Sequence, residues 1–112
     1  FDQSEKIWIA KVKDIVGEKH FLNYQEMKRL NDEEKMQAYK EYHDYLRRKY
    51  GDRFYYNISE DQSIREKQIN QRYLQQLLKL VGPEIYKQYT EARDLFNETM
   101  RRQNKESIQV EF

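Results

Sequence analysis

The chain has 112 residues, of which 37% are charged and 14% aromatic, and twenty-one Lys and Arg face twenty Asp and Glu for a net charge of +1. That length suits a single domain, and so balanced a charge gives no global field to recommend nucleic acid or an acidic membrane as partner. The absence of cysteine excludes a disulfide framework, a thiolate nucleophile and a Cys-based zinc site, and no apolar run approaches the ~20 residues that span a bilayer.

The first segment, from Glu5 to Gly17, places Trp8, Val12, Ile15 and Val16 on one side. Their spacing predicts a helix, with Ser4 as N-cap and Gly17 as the stop. After His20-Phe21-Leu22, a short helical run is expected from Asn23 to Leu30. Asn31 and Asp32 then read as a second cap, with Glu33 and Glu34 in the first turn, where the helix dipole favours carboxylates. From Glu33 to Tyr50 a stripe of Met36, Tyr39, Tyr42, Leu46 and Tyr50 recurs at three or four, and Arg47, Arg48 and Lys49 fill the last turn before Gly51. Core packing is expected to account for Tyr39 and Tyr42, as it does for Tyr73, Tyr86 and Tyr89 further on.

Residues 52–59, with Phe54, Tyr55 and Tyr56, read as an aromatic connector. Ser59 and Gln62 form a capping-box pattern for a long helix from Glu60 to Val81, whose apolar residues thicken toward its C-terminal half. Gly82-Pro83 breaks it, and Ile85, Tyr89, Ala92, Phe96 and Met100 mark a last helix to about Arg102. Residues 107–112 alternate polar and apolar with period two, a strand pattern with no partner inside a helical domain, so a frayed tail is expected. No period of 20 to 50 residues repeats cleanly.

The residue types for catalysis do not assemble. His20 and His43 are too few and too far apart for a metal motif, the acids sit in first turns or among Lys and Arg, and no serine has a nucleophile-elbow context. No cofactor or metal is therefore expected. The basic clusters Arg47-Arg48-Lys49 and Arg101-Arg102 suit helix C-termini through the dipole alone, which leaves nucleic-acid binding as a lesser alternative.

What exceeds the needs of a core is the aromatic and arginine excess. Phe54, Tyr55, Tyr56 and Tyr45, with Arg47 and Arg48, are the expected partner-binding residues, because aromatics and Arg are the types enriched in binding hot spots.

Leu30-Asn31-Asp32-Glu33-Glu34-Lys35, opening a long charged helix, resembles the L-T-x-x-Q helix start of the Spy/CpxP family of small periplasmic proteins, and Val81-Gly82-Pro83-Glu84-Ile85 is similar to a second such start. Asn31 and Gly82 stand where that family has Thr. The resemblance implies an all-helical, often dimeric periplasmic protein that shields unfolded clients or senses envelope stress and metals.

The expectation is thus an all-α domain over residues 1–106, with four to five amphipathic helices in a small antiparallel bundle, followed by an extended tail over 107–112. Its expected function is non-enzymatic protein binding, as a periplasmic chaperone or stress-sensing adaptor, with a helical module of a larger protein as the alternative. A homodimer fits long helices with polar outer halves. The chain begins at Phe1 rather than Met, so a preceding signal peptide, anchor or domain is expected to decide between an exported and a cytoplasmic location.

Overall fold

The computed structural model describes residues 3–51, 58–106 and 108–112, with the side chains of 58 and 59 outside the description. It is all-helical, with no strand among the described residues, and has three helices: α1 (Gln3–Tyr50), α2 (Ile58–Val81) and α3 (Pro83–Arg102). The expected four to five helices reduce to three. The reason lies in α1, which takes in three expected helices: residues 23–30 and 33–50 form one uninterrupted run, and the first segment joins it across a kink at Gly17. Asn31 has the composition of a cap, but its side chain is fully buried and donates from Nδ2 to Asn70 Oδ1 at 3.0 Å. That tertiary bond withdraws the amide from capping, and the helix continues through it.

The only non-helical residue within α1 is Gly17, at φ 81°, ψ 161°, in a region essentially reserved for glycine. A straight helix of 48 residues would measure about 72 Å, whereas the longest dimension of the molecule is 48 Å. The chain folds back at Gly17. The first limb, 3–16, lies against the start of the second limb, 18–50, so that Ile9 and Ala10 share a groove with Phe21 and Gln25, and Lys13 Nζ stands 5.8 Å from the Phe21 ring. Gly82, at φ 88°, ψ 166°, makes a matching turn between α2 and α3, and Pro83 supplies the preset φ of the new helix.

The two turns belong to two equivalent hairpins. Residues 3–34 align with 68–99 without a gap, with identical pairs Gln3/Gln68, Val16/Val81, Gly17/Gly82, Tyr24/Tyr89, Glu26/Glu91, Leu30/Leu95 and Glu33/Glu98. Burial follows the same register. Trp8 and Tyr73 are buried, Val12 and Leu77 are fully enclosed, and so are Tyr24 and Tyr89. Where the hairpins meet, Tyr24 and Tyr89 contact each other edge to face, with ring centroids 5.9 Å apart and hydroxyls 3.4 Å apart. A residue touching its own counterpart marks the approximate two-fold axis relating the hairpins.

The hydrophobic cluster built on this pair gathers Trp8, Val12, Val16, Tyr24, Tyr73, Leu77, Tyr89 and Phe112, flanked by half-buried residues such as Ile15, Phe21, Leu80 and Tyr86. Each fully buried Val or Leu contributes about 1.5–3 kcal/mol over its exposed state, so this body carries most of the apolar stabilisation. Phe112 is completely enclosed, which corrects the expectation of a frayed tail. Burial of 108–112 alternates, with 109 and 111 exposed and 110 and 112 inward, as the period-two pattern requires of an extended chain. Its partner is the pair of hairpins rather than a strand.

Candidate protein-binding face

Beyond the body, α1 and α2 run on together as a two-helix arm formed by residues 35–50 and 58–67. Contacts along it fix an antiparallel alignment: Arg72 Nη2 meets Glu34 Oε2 at 2.6 Å at its base, and the Tyr42 hydroxyl donates to Asp61 farther out. The helical conformation of this stretch follows from strong helix formers and from charge placed to suit the dipole, with Arg47, Arg48 and Lys49 in the last turn of α1 and Glu60 and Asp61 in the first turn of α2.

Among the described side chains, none of the arm belongs to the main hydrophobic cluster. Ala38 and Leu46 are its buried apolar residues, and they supply the seam between the two helices. Outside that seam, Met36 is 74% exposed and Tyr39 50% exposed, with Tyr45, Tyr50 and Ile64 about equally open. Met36 and Tyr39 share a face of α1, whereas Tyr45 stands on the opposite side; on the body Ile7, Leu22 and Leu95 are likewise exposed. Leu30, Met36 and Tyr39 line an open groove of about 810 Å³, rimmed by Glu33, Lys40 and Glu66. The expectation that core packing accounts for Tyr39 is therefore corrected, while Tyr42 is half-buried. The stripe is real, but α2 covers only its Leu46 side, because two helices can bury only one narrow seam each.

The arm's polar decoration is local. Tyr42 and Tyr45 stack with centroids 6.4 Å apart, Lys49 Nζ donates to the Tyr45 hydroxyl at 3.2 Å, and the same ammonium lies 5.2 Å from the Tyr50 ring. The hydrogen bond to Asp61 holds the Tyr42 phenol above the ordinary tyrosine range. Tyr39 packs on the His43 imidazole with centroids 4.1 Å apart.

Of the residues expected to bind a partner, Tyr45, Arg47 and Arg48 stand together on the outer end of α1, all exposed. Arg48 Nε donates to the Asp44 carbonyl at 3.4 Å, and both arginines border a shallow depression with Asp44. Phe54, Tyr55 and Tyr56 lie outside the described residues. Met36, Tyr39 and Ile64 escaped the sequence reading as surface residues, since their spacing is that of any buried stripe; the signal available was the nearly all-polar start of α2, which cannot cover them.

Acidic side chains engage arginines on the surface: Glu26 and Glu33 flank Arg29, and Glu98 meets Arg102 at 2.7 Å. Among the described residues no three His, Asp or Glu converge as metal ligands, and no helix is long and apolar enough to cross a membrane. Comparison with protein-family models, with curated proteins and with solved structures found no match.

Proposed function

We propose that this chain is a non-catalytic, protein-binding helical domain in which the body is a scaffold and the arm is the binding element. The observation that carries the reading is the abrupt end of the hydrophobic cluster at the base of the arm, beyond which Met36, Tyr39, Tyr45, Tyr50 and Ile64 stay exposed. In the body four helical limbs cover one another; in the arm two do. An amphipathic helix laid along the groove beside Met36 and Tyr39 would supply what is missing, with acidic residues placed to meet Arg47 and Arg48. A second copy of the arm has this chemistry, which supports a homodimer, and so does an unfolded client exposing apolar segments. The stretch Val81-Gly82-Pro83-Glu84-Ile85, which leads into α3, keeps its resemblance to a Spy/CpxP helix start, whereas Leu30-Asn31 lies inside α1; that resemblance favours the client-shielding form of this function, in the periplasm or another exported compartment.

The test replaces both Met36 and Tyr39 by Asp. The unchanged protein is expected to suppress aggregation of a chemically unfolded client at equimolar ratio, and the double variant to lose that activity while keeping its helical circular dichroism. Equal suppression by the two proteins, or none by either, contradicts the client-shielding reading. Sedimentation of the same pair reports whether the face also joins two copies.

A further inference from the structure

The two hairpins differ where it matters most for their shared core. In the second, Phe96 packs on Trp8 with ring centroids 5.4 Å apart. At the matching position the first hairpin carries Asn31, which cannot fill an aromatic's place beside Tyr73. Asn31 is fully buried, its Oδ1 has no hydrogen-bond partner, and its Nδ2 is given to Asn70. The vacancy is closed by Phe112, whose ring sits 5.6 Å from that of Tyr24 and 5.7 Å from that of Tyr73.

The way this segment is held is that of a receptor holding a peptide. Asn97 satisfies both backbone groups of Val110, donating from Nδ2 to its carbonyl at 2.8 Å and accepting its N–H on Oδ1 at 2.7 Å. Arg93 Nη1 donates to the Glu111 carbonyl at 3.2 Å, and the Phe112 carbonyl accepts from Lys28 Nζ at 3.2 Å and from the Tyr24 hydroxyl at 3.5 Å. Arg93 and Lys28 are counterparts in the two hairpins, so the segment is gripped from both sides of the axis. Side-chain reading comes from Phe112 in its pocket, from Val110 packed against the hydrophobic cluster, from the Glu111 carboxylate, which accepts from Asn70 Nδ2 at 2.7 Å, and from Gln109 Nε2, which donates to the Asn97 carbonyl at 3.3 Å. Backbone bonds of this kind give affinity whatever the sequence, while pockets for alternate side chains give specificity.

We propose that the groove between the hairpins is a peptide-binding site that residues 108–112 occupy in cis, and that it accepts from a partner protein an extended segment of the same chemistry, apolar, acidic, then aromatic. The helices supply the aromatic pocket, two cationic side chains and the Asn clamp; the covalent link supplies local concentration, and its own backbone is anchored by bonds from Lys105 N–H to the Met100 carbonyl and from Ile108 N–H to the Lys105 carbonyl. While the link is intact, an incoming segment competes with a tethered one and binds weakly.

The test keeps the whole chain and replaces residues 104–107 by a specific protease site. Cleavage then frees the tail from its tether after the fold has formed. The cut protein is expected to exchange its segment for a labelled Ile-Gln-Val-Glu-Phe peptide saturably, and the uncut protein to bind that peptide at least about tenfold more weakly. A peptide with Ala in place of the phenylalanine should compete at least about tenfold less well. The proposal is overturned if the cut segment stays bound without exchange, if its release unfolds the helices, if cut and uncut proteins bind the peptide equally, or if the alanine peptide competes as well.

Discussion

Body and arm are made of the same helices, yet they bury apolar residues to different extents: the body encloses an aromatic core while leaving Ile7, Leu22 and Leu95 exposed, and the arm encloses only a seam. In the body, two hairpins of matching sequence pack about the Tyr24–Tyr89 contact, so each limb has neighbours on more than one side and Trp8, Val12, Tyr73 and Leu77 are enclosed. In the arm, α1 and α2 have only each other. One seam with Ala38 and Leu46 is closed, and the opposite faces keep their apolar side chains in solvent. Helical periodicity reports a stripe in both places; whether that stripe becomes core or interface depends on how many neighbours the topology supplies.

The contrast can be broken most severely from the body side. Replacing the fully buried Leu77 by Ala should cost about 2–5 kcal/mol in urea unfolding, as large-to-small changes in closed cores do. Leu46→Ala, in the two-helix seam, should cost less because the arm can close over the space. A loss at Leu46 equal to that at Leu77 would mean that the arm is core after all.

The turns offer a sharper comparison, because Gly17 and Gly82 share one backbone conformation and a Cβ at either meets nothing within 4 Å. Alanine there should cost about 1–3 kcal/mol, all of it backbone strain, and the two losses should match if the hairpins are equivalent. Gly51, at the end of the arm with φ 63°, lies in the left-handed region where Ala pays only about 1–2 kcal/mol. Unequal losses at Gly17 and Gly82 would undo the two-fold description.

Alkaline titration separates the regions by chemistry. Burial raises the phenols of Tyr24, Tyr89 and Tyr73, the last to about 12. A raised folded pKa means that the unfolded chain loses its proton first, so stability is complete below about pH 10 and falls above it. The slope approaches about 1.4 kcal/mol per pH unit for each such tyrosine. Lys28, lowered by burial, works in the opposite sense: its folded form sheds the proton before the unfolded one, so its contribution to stability rises with pH up to the ordinary lysine range and is level above it, where the tyrosine losses develop. Unfolding measured against pH with tyrosinate absorbance should show steep loss above pH 10, and Tyr89→Phe should flatten it.

How much of this was legible in the sequence depends on which physical rule governed each position. Glycine at a helix stop is a local rule, and the sequence alone shows the turns at Gly17 and Gly82-Pro83. Asn31-Asp32 obeys the cap rule equally well, but a distant amide, Asn70, claims the Asn31 side chain, and no local pattern announces that. The hairpin repeat is hard to see because the Tyr24/Tyr89 spacing of 65 residues exceeds the usual repeat periods and only seven of the thirty-two aligned pairs are identical. In the tail, the period-two pattern was visible, but not the groove that receives Phe112, whose walls come from helices far apart in sequence.

The smallest expected effect on stability is the most informative about the arm. Met36→Ser and Tyr39→Ser should each change unfolding free energy by no more than about 0.5 kcal/mol, as exposed substitutions do, while together weakening partner binding. A large loss of stability would return both residues to the core.

Native-state amide hydrogen exchange tests the division into scaffold and binding element most directly. Amides around Val12, Tyr24, Leu77 and Tyr89 should share the slowest exchange, set by global unfolding, while those of residues 36–50 and 60–67 should exchange markedly faster through a local opening of the arm. Uniform protection along the whole of α1 and α2 would contradict it, showing one cooperative core where two regions are described.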